Sequence, residues 1–383
     1  AIIALTAAVG YGISRYFKIP IVAVLLVCGL ALGFFREMPD ELLKTSMELG
    51  LAFLLFSMGI ELSPERFANR SGTIFIIAIT QISLVGLSAY GLAYLLGYGH
   101  EAGLLLSFAV ASSSTLAVVR HLRNNGQMYE PFGRLVTGVL LIQDTIMLGL
   151  LAFLPEGSDL HYFQTGIYIL LLGAASSLMH VIIVPFLVKK FAEDDEILLL
   201  LALAVLFVFL GMAHALSLPL HLGAFAGGIA LSSFPVNGLV RGQLFSVTHF
   251  FLAFFFVALG ALIVLPSISG IFTVVAFVAL LFLITPPVVT FIGERSGIST
   301  RSSLESGLLL AQAGELSLAA ALLFFQNGKI DPELFSIIAL ITVTTMTITP
   351  LLATDRTTYY MMHYRPGFRK EEGPRLTGHI LIL

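Results

Sequence analysis

The apolar stretch Gly138–Leu151, GVLLIQDTIMLGLL, holds a single carboxylate, Asp144, with the amide of Gln143 beside it. Asp144 would lie about twelve residues into a helix, roughly 18 Å along it, beyond the reach of so short a side chain to either headgroup layer. An ionised carboxylate at that depth costs several kcal/mol, and an intramembrane acid is by default a functional group. The chemistry open to it is exchange. A carboxyl group held part-way out of water takes either a proton or a cation, with both forms accessible. Gln143 adds a carbonyl oxygen and no second charge, so one proton traded for one monovalent cation would move no net charge. The structural alternative for Asp144 is a permanently protonated or hydrogen-bonded side chain.

Two further clusters interrupt apolar stretches: Ser112, Ser113, Ser114 and Thr115 in one, and Gln312, Gly314 and Glu315 in another. Side chains of these types can replace backbone hydrogen bonds where a helix opens, and opened backbone at membrane depth survives only inside protein or beside a water-filled cavity. Half-helices made in this way present partly positive N-termini and partly negative C-termini. Glu315 would either offset the positive ends or line the ion's path. The alternative for the serine run is close packing of small residues against another helix.

Nothing in the chain supports an enzyme. It has no Ser-His-Asp order, no HExxH and no GxxxxGK[ST], and His180, His214 and His221 lack metal-ligand spacing. Glu48 and Glu61 fall at the ends of an apolar stretch, where solvated positions suffice for them. The single Cys28 excludes a disulfide framework. No cofactor and no nucleic-acid partner is expected of this chain.

The elements that must position these residues are membrane helices. Of 383 residues 57% are hydrophobic and 11% charged, against about 25% charged in soluble domains. About thirteen stretches can span the hydrocarbon: 1–17, 20–35, 46–62, 72–97, 101–121, 132–154, 162–188, 196–215, 219–234, 243–265, 268–292, 302–326 and 333–353. The first is expected to be a span, since no signal-peptide cleavage pattern follows it. Seventeen of the twenty Lys and Arg residues fall on one side of this arrangement, which puts the N-terminus outside and the C-terminus in the cytoplasm.

The two halves resemble each other at an offset near 200. Pro20 and Pro219 open spans 2 and 9, GLAL (29–32) lies over GIAL (228–231), LAFLLFSMG from Leu51 over LAFFFVALG from Leu252, and ASSST (111–115) over AQAGE (311–315). Spans 1–6 (about 1–154) thus correspond to spans 8–13 (about 196–353), with span 7 (162–188) as linker. A shift of seven spans inverts the second half, and inverted repeats are a transporter signature with the site near the midplane. The expected fold is an all-α polytopic membrane protein, residues 1–353, with two inverted-topology repeats whose discontinuous helices cross. The counterpart of Asp144, near Thr344–Thr345, has no acid.

With these residues in place, the chain resembles the membrane domain of the cation:proton antiporter-2 family, especially its Kef-type potassium–proton members. The resemblance is carried by ELGLAFLLFSMGIEL (48–62), SFAVASSSTLAVV (107–119), LLIQDT (140–145), LGAFAGG (222–228), GLLLAQAGELS (307–317) and TVTTMTITPLL (342–352). It implies that Asp144 binds the proton or the cation, K+ or Na+, with Thr115 and Ser114 nearby as cation ligands or backbone-satisfying groups. It implies a homodimer in the cell's inner (plasma) membrane, with spans 4–6 and 11–13 as a mobile core and spans 1–3 and 8–10 as a dimerisation scaffold, working as an elevator. Members with two adjacent acids tend to be electrogenic sodium–proton exchangers, whereas Gln143–Asp144 places this chain with the electroneutral, Kef-like side. Many relatives carry a Lys in span 11, where Thr285 stands here. Exchange in this chain would then depend on Asp144 alone, or on Asp144 with Glu315.

After residue 353 the composition turns polar. Residues 354–376 would be a cytoplasmic linker, and HILIL from His379 a buried strand. In the Kef type this is how a nucleotide-binding regulatory domain begins, so 377–383 is expected to be the start of a truncated one. That domain, or an ancillary subunit, would be a partner. Sodium–proton exchange, a ligand-gated potassium efflux channel and a non-transporting ion sensor remain as alternatives.

Overall fold

The structure is a computed structural model, and it describes residues 2–17, 19–35, 40–61, 71–128, 130–152, 159–191, 195–232, 238–354 and 357–358. The described chain is helical: α1 (Ile2–Phe17), α2 (Ile21–Phe35), α3 (Asp40–Glu61), α4 (Ser71–Leu95), α5 (His100–Ala111), α6 (Thr115–Asn124), α7 (Pro131–Ala152), α8 (Asp159–Leu178), α9 (Val184–Phe191), α10 (Asp195–Ala215), α11 (Leu220–Ala230), α12 (Gly238–Ala261), α13 (Ile268–Arg295), α14 (Thr300–Leu310), α15 (Glu315–Gln326) and α16 (Pro332–Leu352). Among the described residues ten helices are long and apolar enough to cross a membrane, and three shorter apolar helices, α1, α2 and α11, occupy the remaining apolar stretches. The linker and strand expected beyond residue 358 lie outside the described residues.

Where the helices depart from the apolar windows, a local cause is visible. α3 begins at Asp40, six residues before its window, because its first turns carry charge, and Lys44 pairs with Glu48 one turn on at 3.9 Å. The linker helix is longer than 162–188. It passes from α8 through one π turn, Met179–Ile183, into α9, with the Val184 amide donating to the Met179 carbonyl five residues back. Pro185 follows immediately and has no N–H to offer, the usual reason for such a turn. α13 continues as one helix through Pro286 and Pro287. Large apolar side chains on the outside, among them Leu170, Val181, Phe186, Phe272 and Leu283, would be a liability in water and are ordinary where the solvent is hydrocarbon.

The helices pack into two groups, α1–α3 with α10–α12 and α4–α7 with α13–α16. Within the first group, the inversion between the halves is visible as backbone contact. α2 crosses α12 where Gly29 meets Gly260: a Cβ on Gly29 would stand 2.1 Å from the Val257 carbonyl oxygen, and one on Gly260 would stand 2.2 Å from that of Leu26. α3 crosses α11 in the same way, where a Cβ on Gly59 would meet the Phe225 oxygen at 2.5 Å and one on Gly228 the Phe56 oxygen at 2.2 Å. Gly29 maps onto Gly228, and Gly59 onto Gly260, at the repeat offset near 200. The two crossings therefore exchange under the pseudo-twofold, and small residues let these helices approach without a hydrophobic driving force.

Candidate functional site

The second group is built around two broken helices. α5 stops at Ala111, Ser112 (φ −114°, ψ 150°) and Ser114 (φ −71°, ψ 114°) are extended, and α6 starts at Thr115. α14 stops at Leu310, and α15 starts at Glu315 after an extended Gly314. Ser114 caps α6, its hydroxyl accepting from the Ala117 amide at 3.1 Å.

The two breaks touch each other. The Ser113 hydroxyl donates to the Leu310 carbonyl at 2.5 Å, and the Ser317 hydroxyl to the Ala109 carbonyl. Gly314 passes so close that a Cβ there would lie 3.0 Å from the Ser113 carbonyl oxygen. Each opened strand has an amide met by the last long helix of its own half. Ser113 N–H donates to Gln143 Oε1 of α7 at 3.3 Å, and Ala313 N–H donates to Thr345 Oγ1 of α16 at 3.1 Å. The halves thus solve the same backbone problem with different side chains, as the cost of an unmet buried amide requires.

The two carboxylates take separate places at this crossing. Asp144 is 6% exposed and accepts from Thr115 Oγ1 at 2.6 Å. Glu315 is 1% exposed and accepts from Ser114 Oγ at 2.5 Å, with the backbone amides of Thr115 and Leu116 also directed at it. Glu315 therefore lies on the N-terminus of α6, where the helix dipole favours negative charge. Consecutive residues on a helix point about 100° apart, so Ser114 turns to Glu315 while Thr115 turns to Asp144, and Gln143 turns from the acid beside it to the opened backbone.

Of the residues expected to bind the ion, Asp144 and Thr115 come together. Gln143 accepts from the Ser113 amide, and Ser114 caps α6 and donates to Glu315. Ser113 and Gly314 lie where the two breaks meet. Ser112 and Gln312 are buried at the same level, and Ser112 Oγ and Gln312 Oε1 have no protein partner, while Gln312 Nε2 donates to the Leu309 carbonyl at 3.0 Å. Thr285 is fully buried on α13 and its hydroxyl also lacks a partner. It adjoins Pro286, which packs against Gly307 of α14 so tightly that a Cβ on that glycine would stand 2.7 Å from the Pro286 Cα.

Sequence reasoning missed Gln81. It lies on α4, 1% exposed, and touches both Gln143 and the crossing. Its signal was available: it carries the one side-chain amide in the apolar stretch 71–95.

The seat of Glu315 carries a prediction. Glu315→Leu leaves the Ser114 hydroxyl and the amides at the head of α6 without an acceptor, each such loss costing about 1–3 kcal/mol. Glu315→Gln keeps a carbonyl oxygen there. The expected outcome, read by heating detergent-solubilised protein and measuring the fraction that stays monodisperse, is a clearly lower midpoint for Glu315→Leu than for Glu315→Gln. Equal midpoints would show that these contacts do not hold the break.

The comparisons with known proteins agree on one kind of molecule. Residues 2–354 match the family model described as sodium/hydrogen exchanger, transmembrane. In Arabidopsis thaliana, K(+) efflux antiporter 1, chloroplastic, is 28% identical over 80% of this chain and 27% of its own length. K(+) efflux antiporter 2, chloroplastic, is 28% identical over 81% of this chain and 28% of its own. K(+) efflux antiporter 6 is 25% identical over 85% of this chain and 58% of its own. The chain thus spans between about a quarter and three fifths of these relatives' lengths. Among solved structures, the sodium proton antiporter MjNhaP1 from Methanocaldococcus jannaschii at pH 8 superposes with a TM-score of 0.65 at 18% identity, covering 94% of this chain and 97% of that one, and so shares its fold.

Proposed function

The chain belongs to the family of transmembrane sodium/hydrogen exchangers, and on that premise we propose that it is a secondary transporter that exchanges potassium for protons at Asp144. The observation that carries this reading is the pairing of Asp144 with Thr115 at the crossing of two opened helices. A carboxylate there can hold a dehydrated cation with help from a hydroxyl, or a proton in its place. Glu315 acts as counter-charge to α6, and Gln143 and Ser114 keep the breaks open. Because Gln143 brings no charge, the exchange is one for one and electroneutral. With Thr285 in place of a lysine, α13 offers no cation at mid-depth to compete for Asp144.

The separate packing of α4–α7 with α13–α16 and of α1–α3 with α10–α12 supports an elevator, in which α4–α7 with α13–α16 carry the ion past α1–α3 with α10–α12. Helices α1–α3 with α10–α12 would form the homodimer contact. The N-terminus would lie outside and the C-terminus in the cytoplasm, in the cell's inner (plasma) membrane, with all thirteen apolar stretches crossing it. Nucleotide control would belong to a cytoplasmic domain beyond this chain.

Potassium is favoured by the relatives described as K(+) efflux antiporters, sodium by the family's own description. Reconstitution into liposomes loaded with a pH dye separates the two. Added potassium should drive proton movement at lower concentration than sodium or lithium, with and without a protonophore. Equal responses to sodium and potassium would remove the potassium assignment.

A further inference from the structure

We propose that Gln81 is a positioning residue for the exchange: it fixes which end of the Gln143 amide meets the opened backbone and so leaves the cation to Asp144 and Thr115. The proposal rests on the reading of Asp144 as the ion carrier. Its basis is a closed circuit of hydrogen bonds. Gln143 Nε2 donates to Gln81 Oε1 at 2.7 Å. Gln81 Nε2 then faces the Leu310 carbonyl at 3.3 Å and Ser113 Oγ at 3.4 Å. Ser113 Oγ itself donates to Leu310, and Ser113 N–H returns to Gln143 Oε1 at 3.3 Å.

Side-chain amides can be placed either way round, and their orientation follows from the partners at the ends of the network. Here both ends are backbone. Ser113 N–H can only donate and the Leu310 carbonyl can only accept. Reversing both glutamines would set a donor against Ser113 N–H and an acceptor against Leu310, so the direction of the circuit is determined. With its nitrogen held by Gln81, the Gln143 carbonyl is aimed at Ser113 N–H. The same circuit ties α4 and α7 to the breaks of both halves, with Thr115 two residues beyond Ser113 and Asp144 next after Gln143. Gln81 acts on the ion site through these neighbours.

Two substitutions test this in proteoliposomes, read as cation-dependent proton flux against cation concentration and against pH. Gln81→Leu removes the acceptor for Gln143 and the donor for Leu310, and the half-saturating cation concentration should rise about tenfold or more. Gln81→Glu discriminates further. Protonated, the new carboxyl can accept from Gln143 and donate its O–H to Leu310, leaving the circuit whole. Ionised, it has no donor and adds a charge. Flux in Gln81→Glu should approach wild type at acid pH and fall at alkaline pH where wild type still works, a change that loss of packing alone would not produce. This comparison is made within one protein, so it decides the matter even if Gln81→Leu fails to fold. A wild-type half-saturation in Gln81→Leu, or a wild-type pH profile in Gln81→Glu, would overturn the proposal. An Asp144→Asn arm in the same vesicles must be silent; exchange persisting there would sink the reading of Asp144 and leave the circuit itself untouched.

Discussion

Asp144→Asn should abolish cation-dependent proton movement and leave the protein folded. The asparagine keeps an oxygen to accept from Thr115 Oγ1, which reaches Asp144 at 2.6 Å, and it keeps the side chain's volume. Only the charge and the exchangeable proton are lost. A substitution that spares packing and stops transport isolates the chemistry from the scaffold, so the melting midpoint of the variant should match wild type while its flux falls to that of empty vesicles. Glu315→Gln is the natural comparison. Its neutral oxygen still sits over the head of α6, so it should reduce transport far less. Flux surviving in Asp144→Asn and lost in Glu315→Gln would exchange the roles of the two acids.

The largest expected effect on stability lies far from the acids, at the glycine crossings. Gly228→Val would drive a Cβ to 2.2 Å from the Phe56 carbonyl oxygen, and Gly29→Val to 2.1 Å from that of Val257. Both meet backbone, which cannot swing aside as a side chain can. Overpacking of this kind costs about 1–3 kcal/mol and sometimes more, and here the helices themselves must separate. Each substitution should lower the melting midpoint by a similar amount, because the repeat makes the two sites equivalent. Gly211→Ala on α10 is the control: nothing lies within 4 Å of a Cβ there, and alanine is the better helix former by about 1 kcal/mol. It should be neutral or stabilising. A neutral Gly228→Val would mean that α3 and α11 do not cross as described.

Much of the architecture was legible because lipid imposes simple rules. Apolar length marks the helices, and polar residues inside them stand out by their cost. That is why Asp144, the serine run and the Gln312–Glu315 cluster could be singled out, and why the helix breaks fall at 112–114 and 311–314. Partner choice was not legible. Whether Ser114 or Thr115 reaches Asp144 turns on a rotation of about 100° between neighbours and on where α15 arrives from two hundred residues away. Gln143 adjoins Asp144 in sequence, but adjacency in a helix points side chains apart, so its contacts with Ser113 and Gln81 could not be read from the sequence. Gln81 was overlooked because an amide is cheaper to bury than an acid and draws less notice. The start of α3 at Asp40 was hidden because charged turns at a membrane surface extend a helix beyond its apolar core.

The most direct test of the account is a paired count of ions. In vesicles clamped at defined membrane potentials, the potassium that leaves and the protons that enter would be measured together for wild-type protein. One-for-one exchange at a rate unmoved by the potential is what Asp144, flanked by the uncharged Gln143, requires. Potassium flux without proton movement would contradict it.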